Sequence, residues 1–87
     1  MWLVEGFHVR KMADGKYKKT NNKKYVWKIP VRLDGKIDKG DIVWVHSKIG
    51  EKDFKLRILV VDIIEGEEGA LRSVIQVFKK FDKVKLF

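Results

Sequence analysis

A basic window between residues 10 and 28 holds the side chains best suited to chemistry in this sequence. It contains eight basic residues and one acidic residue, so it carries +7 of the chain's formal net charge of +8. Ammonium groups attract phosphates, and aromatic rings interleaved with them stack on bases. The window therefore predicts an arm that binds DNA or RNA without sequence preference. Its candidate residues are Lys16, Tyr17, Lys18, Lys19, Lys23, Lys24, Tyr25, Trp27 and Lys28.

The same composition leaves other roles open. Tyr25 and Trp27 could face the core while the lysines keep a small protein in solution. A second hypothesis is a homodimer or protein-partner interface. It uses an apolar face formed by Trp44, Leu59 and Val61, provided that no other segment covers it. An exposed Trp27 beside lysines would favour nucleic acid, and an exposed Trp44 would favour self-association. Buried tryptophans would weaken both the stacking and the patch hypotheses.

Catalytic constellations are poorly supported. His8 and His46 are the only histidines. His46 and Ser47 are neighbours on a predicted strand, so their side chains point to opposite faces and cannot pair as base and nucleophile. Asp62 is expected at a strand end, reaching solvent. The glycines lack the spacing of phosphate-binding loops. We expect a binding protein and not an enzyme.

Metal and cofactor sites are not expected either. The acidic residues Glu65, Glu67 and Glu68 lack the pattern of a calcium-binding loop. The chain has no cysteine, which excludes disulfides and cysteine-ligated zinc and fits a reducing compartment. No signal peptide is visible after Met1, and the apolar runs are shorter than the roughly 20 residues that span a bilayer. We therefore expect a cytoplasmic protein.

The stretch from Gly40 to Ile64 organises the predicted fold. Residues 41–47 have high strand propensity. Residues 54–64 begin with strict alternation and end in an unbroken apolar run, which is typical of a strand covered on both faces. A turn at Gly50 would join the two into an antiparallel hairpin. Such a hairpin needs other strands to cover it.

Three further strands are predicted, at residues 2–11, 25–29 and 73–79, with turns at Asp14-Gly15 and at residues 20–23. Pro30 ends the second of these strands. Residues 71–87 combine helical spacing with β-branched content, so a short helix stays open there. The 87 residues are expected to form one mainly β domain, a five-stranded antiparallel barrel of SH3-like or OB-like type.

A resemblance agrees with this architecture. The segment Lys39-Gly40-Asp41-Ile42-Val43-Trp44-Val45 follows Tyr25-Val26-Trp27-Lys28-Ile29-Pro30 and precedes Leu59-Val60-Val61-Asp62-Ile63. Together these segments resemble short uncharacterised proteins of Gram-positive bacteria and their phages, over about two thirds of the chain. The resemblance implies a compact β domain of unknown function and supplies no site residue.

Overall fold

The structure is a computed structural model that describes residues 1–66 and 72–84. The strands in these residues are β1 Trp2–Lys11, β2 Tyr17–Lys19, β3 Tyr25–Lys28, β4 Ile42–Ile49, β5 Lys52–Glu65 and β6 Val74–Lys79. Short 3₁₀ turns follow β3 at Val31–Leu33 and β6 at Phe81–Lys83. The mainly β class is confirmed. The short strand β2 lies in the polar arm between the two predicted turns, where the sequence allowed either a short strand pair or a loop.

The strands form one antiparallel sheet in the order β2-β1-β5-β4-β6. Strand β3 also pairs with β1, along residues 3–6, while β2 pairs along residues 9–11. Two short strands therefore share one edge of β1. The predicted central hairpin is confirmed, because β4 and β5 pair continuously from Ile42–Leu59 to Ile49–Lys52.

The described sheet has six strands and is not closed into a barrel, so the predicted five-stranded closure is not formed. In the described residues, β3 reaches β6 at one isolated parallel bridge, between Lys28 and Ser73. The Lys28 N–H donates to the Arg72 carbonyl at 2.9 Å. A single bridge brings the two ends of the sheet near each other without a continuous ladder.

For the chain after the hairpin, the sequence left a strand and a short helix open. Residues 74–79 are a strand, as their β-branched content favours, and not a helix. The acidic residues Glu67 and Glu68 lie outside the described residues, as does the end of the chain from residue 85. No helix in residues 1–66 and 72–84 is long and apolar enough to cross a membrane.

Hydrophobic cores lie on both sides of the sheet. The main core contains residues of β1, β3, β4, β5 and β6, with Leu33 and Ile37 from the connection before β4. The second core, on the opposite side, consists of Val9, Tyr17, Ile42 and Leu59. Since β5 contributes to both, its apolar run is buried on both faces, as the sequence predicts.

A bulge bends the pairing of β1 with β5 at Gly6. Glu5 pairs with Asp62 and Gly6 with Val60, so Val61 is left without a partner in β1. A Cβ atom on Gly6 would lie 2.3 Å from the Leu59 carbonyl oxygen and 2.6 Å from the Ile58 side chain. Only glycine allows the two backbones to approach this closely.

Replacing Gly6 with alanine should therefore destabilise the fold by about 2 kcal/mol, the usual cost of forcing atoms into a packed core. Gly15→Ala is the matched control, because open space surrounds Gly15 although its φ is +85°. That change should cost about 1 kcal/mol from backbone strain alone. Urea unfolding of both variants measures the difference. An equal loss in the two would contradict the close approach at Gly6.

A partly buried ion pair joins the loop before β4 to the chain after β6. The Asp41 carboxylate is fully buried and accepts from the Asp38 N–H at 2.8 Å and the Phe81 N–H at 2.9 Å. The Lys80 ammonium donates to it at 2.6 Å, and also to the Asp38 carboxylate at 3.0 Å and the Lys36 carbonyl at 3.1 Å. We call this arrangement the Asp41–Lys80 clamp.

The charges of the clamp raise the pKa of Lys80. Burial alone would lower that pKa, but the hydrogen bonds and negative charges of Asp41 and Asp38 outweigh it and place it above 10.5. A base whose pKa is raised on folding stabilises the fold below its unfolded pKa. This stabilisation is lost as the pH rises through the folded value.

The variant Lys80→Met should lower the free energy of unfolding by about 2 kcal/mol, because it leaves the Asp41 carboxylate buried without its cation. This loss of unfolding free energy is smaller than that for breaking a fully buried ion pair, since the Lys80 side chain is 41% exposed. Wild type should also lose stability above pH 10.5, and Lys80→Met should lose less over the same range. Urea unfolding at neutral and alkaline pH measures both effects. Lys83→Met is the control, and the clamp is contradicted if both variants unfold like wild type.

Candidate nucleic-acid interface

The basic arm, residues 10–24, leaves β1, forms β2 and returns towards β3. Its first turn is built on Asp14-Gly15, as predicted. The Lys16 N–H donates to the Asp14 carboxylate at 3.0 Å, and Gly15 takes a φ of +85°. The Met12 N–H donates to the Lys16 carbonyl at 2.7 Å, which closes the turn.

The second turn of the basic arm lies at residues 20–23. The Asn21 side chain accepts from the Lys23 N–H at 2.9 Å, and the Thr20 N–H donates to the His8 carbonyl at 2.9 Å. The bond from Thr20 ties the start of the turn to β1, and the bond to Asn21 holds the turn itself. All the candidate lysines of the arm are exposed, namely Lys16, Lys18, Lys19, Lys23 and Lys24, whereas Lys28 in β3 is half-buried.

Several arm lysines already contact the protein. Lys19 lies 4.2 Å from the centre of the Phe7 ring, and Lys23 lies 5.2 Å from the centre of the Tyr25 ring. Lys24 approaches the Glu5 carboxylate at 3.7 Å. These contacts lie at the surface, where ion pairs and cation–π contacts are weak and exchange with water. A phosphate could replace them at small cost.

Two of the three predicted stacking rings are not accessible. Tyr17 is 1% exposed and belongs to the second core, where its ring meets that of Phe78 edge-on at 6.4 Å. Trp27 is 4% exposed and belongs to the main core. Alternation along strands β2 and β3 points both rings inward. Tyr25 is half-buried and keeps an accessible ring surface.

An open cleft of about 830 Å³ lies between the basic arm, β1 and β3. We call it the His8 cleft. Its floor contains the rings of His8, Tyr25 and Trp27. Its polar lining residues are Arg10, Thr20, Lys24, Ser47 and Arg72, of which three are cations and two carry hydroxyl groups. The cleft thus combines aromatic surface with positive charge.

The three rings of the floor meet edge to face. The His8 ring centre lies 5.0 Å from that of Tyr25 and 5.4 Å from that of Trp27, at interplanar angles of 68° and 86°. Burial lowers the pKa of His8 below 6.5, so its imidazole is neutral at pH 7. Within the described residues, the buried His8 Nδ1 has no hydrogen-bond partner.

The lowered pKa of His8 makes folding sensitive to mild acid. The unfolded chain takes up a proton near pH 6.5, before the folded chain does. The stability associated with His8 is therefore complete above pH 6.5 and is lost as the pH falls through the lower folded pKa. Urea unfolding between pH 7.5 and 5 should show a smaller acid loss in His8→Gln than in wild type. His46→Gln, which changes an exposed histidine, should behave as wild type. Identical pH slopes in all three proteins would contradict the burial of a neutral His8.

Sequence reasoning treated His8 as an ordinary strand residue and did not select Arg10 or Arg72. One signal was available for His8. Alternation along β1 places it on the same face as Gly6 and opposite Ile58, hence on the side of the main core. Arg72 is 44 positions from Lys28 along the chain, and the long-range contacts of residues 72–74 with β3 and β4 bring it to the cleft.

The Trp44 face differs from the predicted apolar surface. Leu59 is 8% exposed and lies in the second core, with Val61 half-buried against it. Trp44 is half-buried, meets the Phe78 ring at 5.2 Å and lies 4.8 Å from the Arg57 guanidinium. Trp44, Leu59 and Val61 therefore do not form one continuous exposed patch.

Of the remaining candidates for chemistry, Asp62 and His46 lie apart from the His8 cleft, whereas Ser47 lines it. Asp62 approaches the Lys39 ammonium at 3.5 Å and accepts from the Ile63 N–H at 2.8 Å, as expected of an aspartate that reaches solvent. His46 is exposed on β4. Within residues 1–66 and 72–84, no three His, Cys, Asp or Glu side chains cluster in a way that could hold a metal ion.

Comparison with known proteins places the chain in a family. The model of a family of unknown function (DUF5839) matches residues 2–80, and the chain belongs to this family. The expectation of an uncharacterised β domain agrees with that membership. No curated protein and no solved structure matches the chain. Any function must therefore be argued from the geometry of the site.

Proposed function

We propose that this domain binds single-stranded nucleic acid through the basic arm. One observation carries the proposal: five lysines between residues 16 and 24 are exposed on the arm that borders the His8 cleft. Phosphates contacted by ammonium groups contribute affinity that depends little on sequence. Lysine prevails over arginine in the arm, so base-specific readout is not proposed.

The arm is suited to follow a flexible strand. Strand β2 pairs with β1, and the Thr20 N–H donates to the His8 carbonyl of β1, so the lysines project from a fixed frame. Lysine side chains are long and mobile and can adapt to irregular phosphate spacing. Contacts to four phosphates would make binding fall about 50-fold between 50 and 200 mM salt, from the slope known for single strands.

The test is fluorescence anisotropy of labelled single- and double-stranded oligonucleotides at about 50 and 200 mM salt. Saturable binding at low salt is expected. The variant Lys18/Lys19/Lys23/Lys24→Ala should abolish it, because the change removes the phosphate contacts and leaves the core untouched.

A second quadruple variant with the same loss of charge tests whether binding depends on the position of the arm lysines or only on the net charge of the protein. Lys36, Lys52, Lys55 and Lys83 are exposed and lie outside the arm. Their replacement by alanine should leave most of the binding in place. Equal losses in both quadruple variants would show that only overall charge matters, and no binding by folded wild type at low salt would overturn the proposal.

The alternative, a protein-interaction surface centred on Trp44, has less support. It would need Leu59 at the surface, and Leu59 belongs to the second core. The accessible surface of this face comes from Phe78, which is 37% exposed, and from the half-buried Trp44 beside it. A contact that small would support only weak self-association.

We further propose a binding rather than catalytic role, on an SH3-like scaffold. The bridge between Lys28 and Ser73 supports the scaffold, because it brings β3 to the start of β6 as in a small barrel. The orientation of His46 and Ser47 on successive positions of β4 supports the binding role.

A further inference from the structure

We infer that the His8 cleft receives one unpaired base of the bound strand, with the adjoining phosphate at its cationic rim. This inference rests on the proposed function and specifies the ligand of the same site. It adds a contact that the basic arm alone does not provide, since ammonium groups on the arm can hold only the backbone.

The size of the His8 cleft fits a nucleotide unit. Its volume of about 830 Å³ lies within the range of small-molecule sites. A base is a flat ring system, and the open mouth of the cleft leaves room for its sugar. A base in a duplex would first have to break its pair and leave its stack before it could enter the cleft. The cleft therefore favours single strands.

The distribution of polar and apolar groups also fits a nucleotide. Tyr25 presents ring surface and Leu56 aliphatic surface, against which a neutral base can pack, whereas Trp27 is 4% exposed and only supports the floor from the core. Arg10, Lys24 and Arg72 present three positive charges. Among the described residues that line the cleft there is no carboxylate, so nothing in the lining repels a phosphate.

His8 completes the floor as a neutral ring. An imidazolium at this position would be costly to bury against a base, whereas the neutral ring is compatible with an uncharged partner. Its edge-to-face contacts hold the Tyr25 ring in place from the side, which leaves a face of Tyr25 for a ligand. Lys23, now 5.2 Å from the centre of this ring, would move aside to a phosphate.

The experiment compares two single strands of equal length and charge. One is a twelve-residue oligothymidylate and the other is the same chain with every base removed, and each competes with labelled oligothymidylate for wild-type protein in anisotropy. If a base occupies the cleft, the strand without bases should bind about tenfold more weakly, as expected for one stacked base. This comparison needs no altered protein.

A variant then assigns the difference to the cleft. Tyr25→Leu should weaken oligothymidylate about tenfold and leave the strand without bases unchanged. Phe54→Leu is the control, because Phe54 is an exposed ring on β5 outside the cleft lining, and it should bind both strands as wild type does. Circular dichroism confirms that each variant is folded.

The outcomes separate the two proposals. Equal binding of the two strands by wild type would overturn the inference while the proposed function stands. A preference for oligothymidylate that survives in Tyr25→Leu would also overturn it, because the base would then bind elsewhere. If neither strand binds at low salt, the proposed function fails and the inference fails with it.

Discussion

The buried carboxylate of Asp41 holds the entry to β4 against the exit from the neighbouring strand β6. A charge without access to water is tolerated only when donors surround it, and Asp41 obtains two backbone N–H groups and the Lys80 ammonium. These donors come from the loop before β4 and from the chain after β6. The adjoining Gly40 has a φ of +91° and leaves no room for a Cβ beside Phe81. The entry to β4 and the exit from β6 therefore depend on one interaction.

Strand β5 occupies the side of β4 that faces away from β6. With β6 held on one side of β4, β5 lies between β4 and β1 and is buried on both faces from Ile58 to Val60. A strand buried on both faces leaves no exposed surface for a ligand at the middle of the sheet. The basic arm lies at the edge of the sheet beyond β1, and its five lysines between residues 16 and 24 are exposed.

The fold was largely predictable because its strands carry local signals. The hairpin of β4 and β5 follows from propensity, alternation and the turn at Gly50, and the turn at Asp14-Gly15 follows from its residue types. The burial of Tyr17 was not predictable, since it depends on contact with Phe78 from β6, a long-range pairing. The burial of Asp41 was not predictable either. Its sequence context beside Gly40 is that of an ordinary turn residue, and its partner Lys80 is distant in the chain.

The His8 cleft could not be predicted from the sequence, although several of its residues could be selected as candidates. Strand β3 pairs with residues 3–6 of β1 and β2 with residues 9–11, so His8 lies where one edge strand has ended and the other has not begun. The chain between those strands, residues 20–24, must loop outward at this point, and it carries Lys24 with it. The lysines of this loop therefore lie beside the aromatic residues of β3, the strand that follows. The cleft is therefore a consequence of two short strands sharing one edge, a pairing that no local pattern in the sequence specifies.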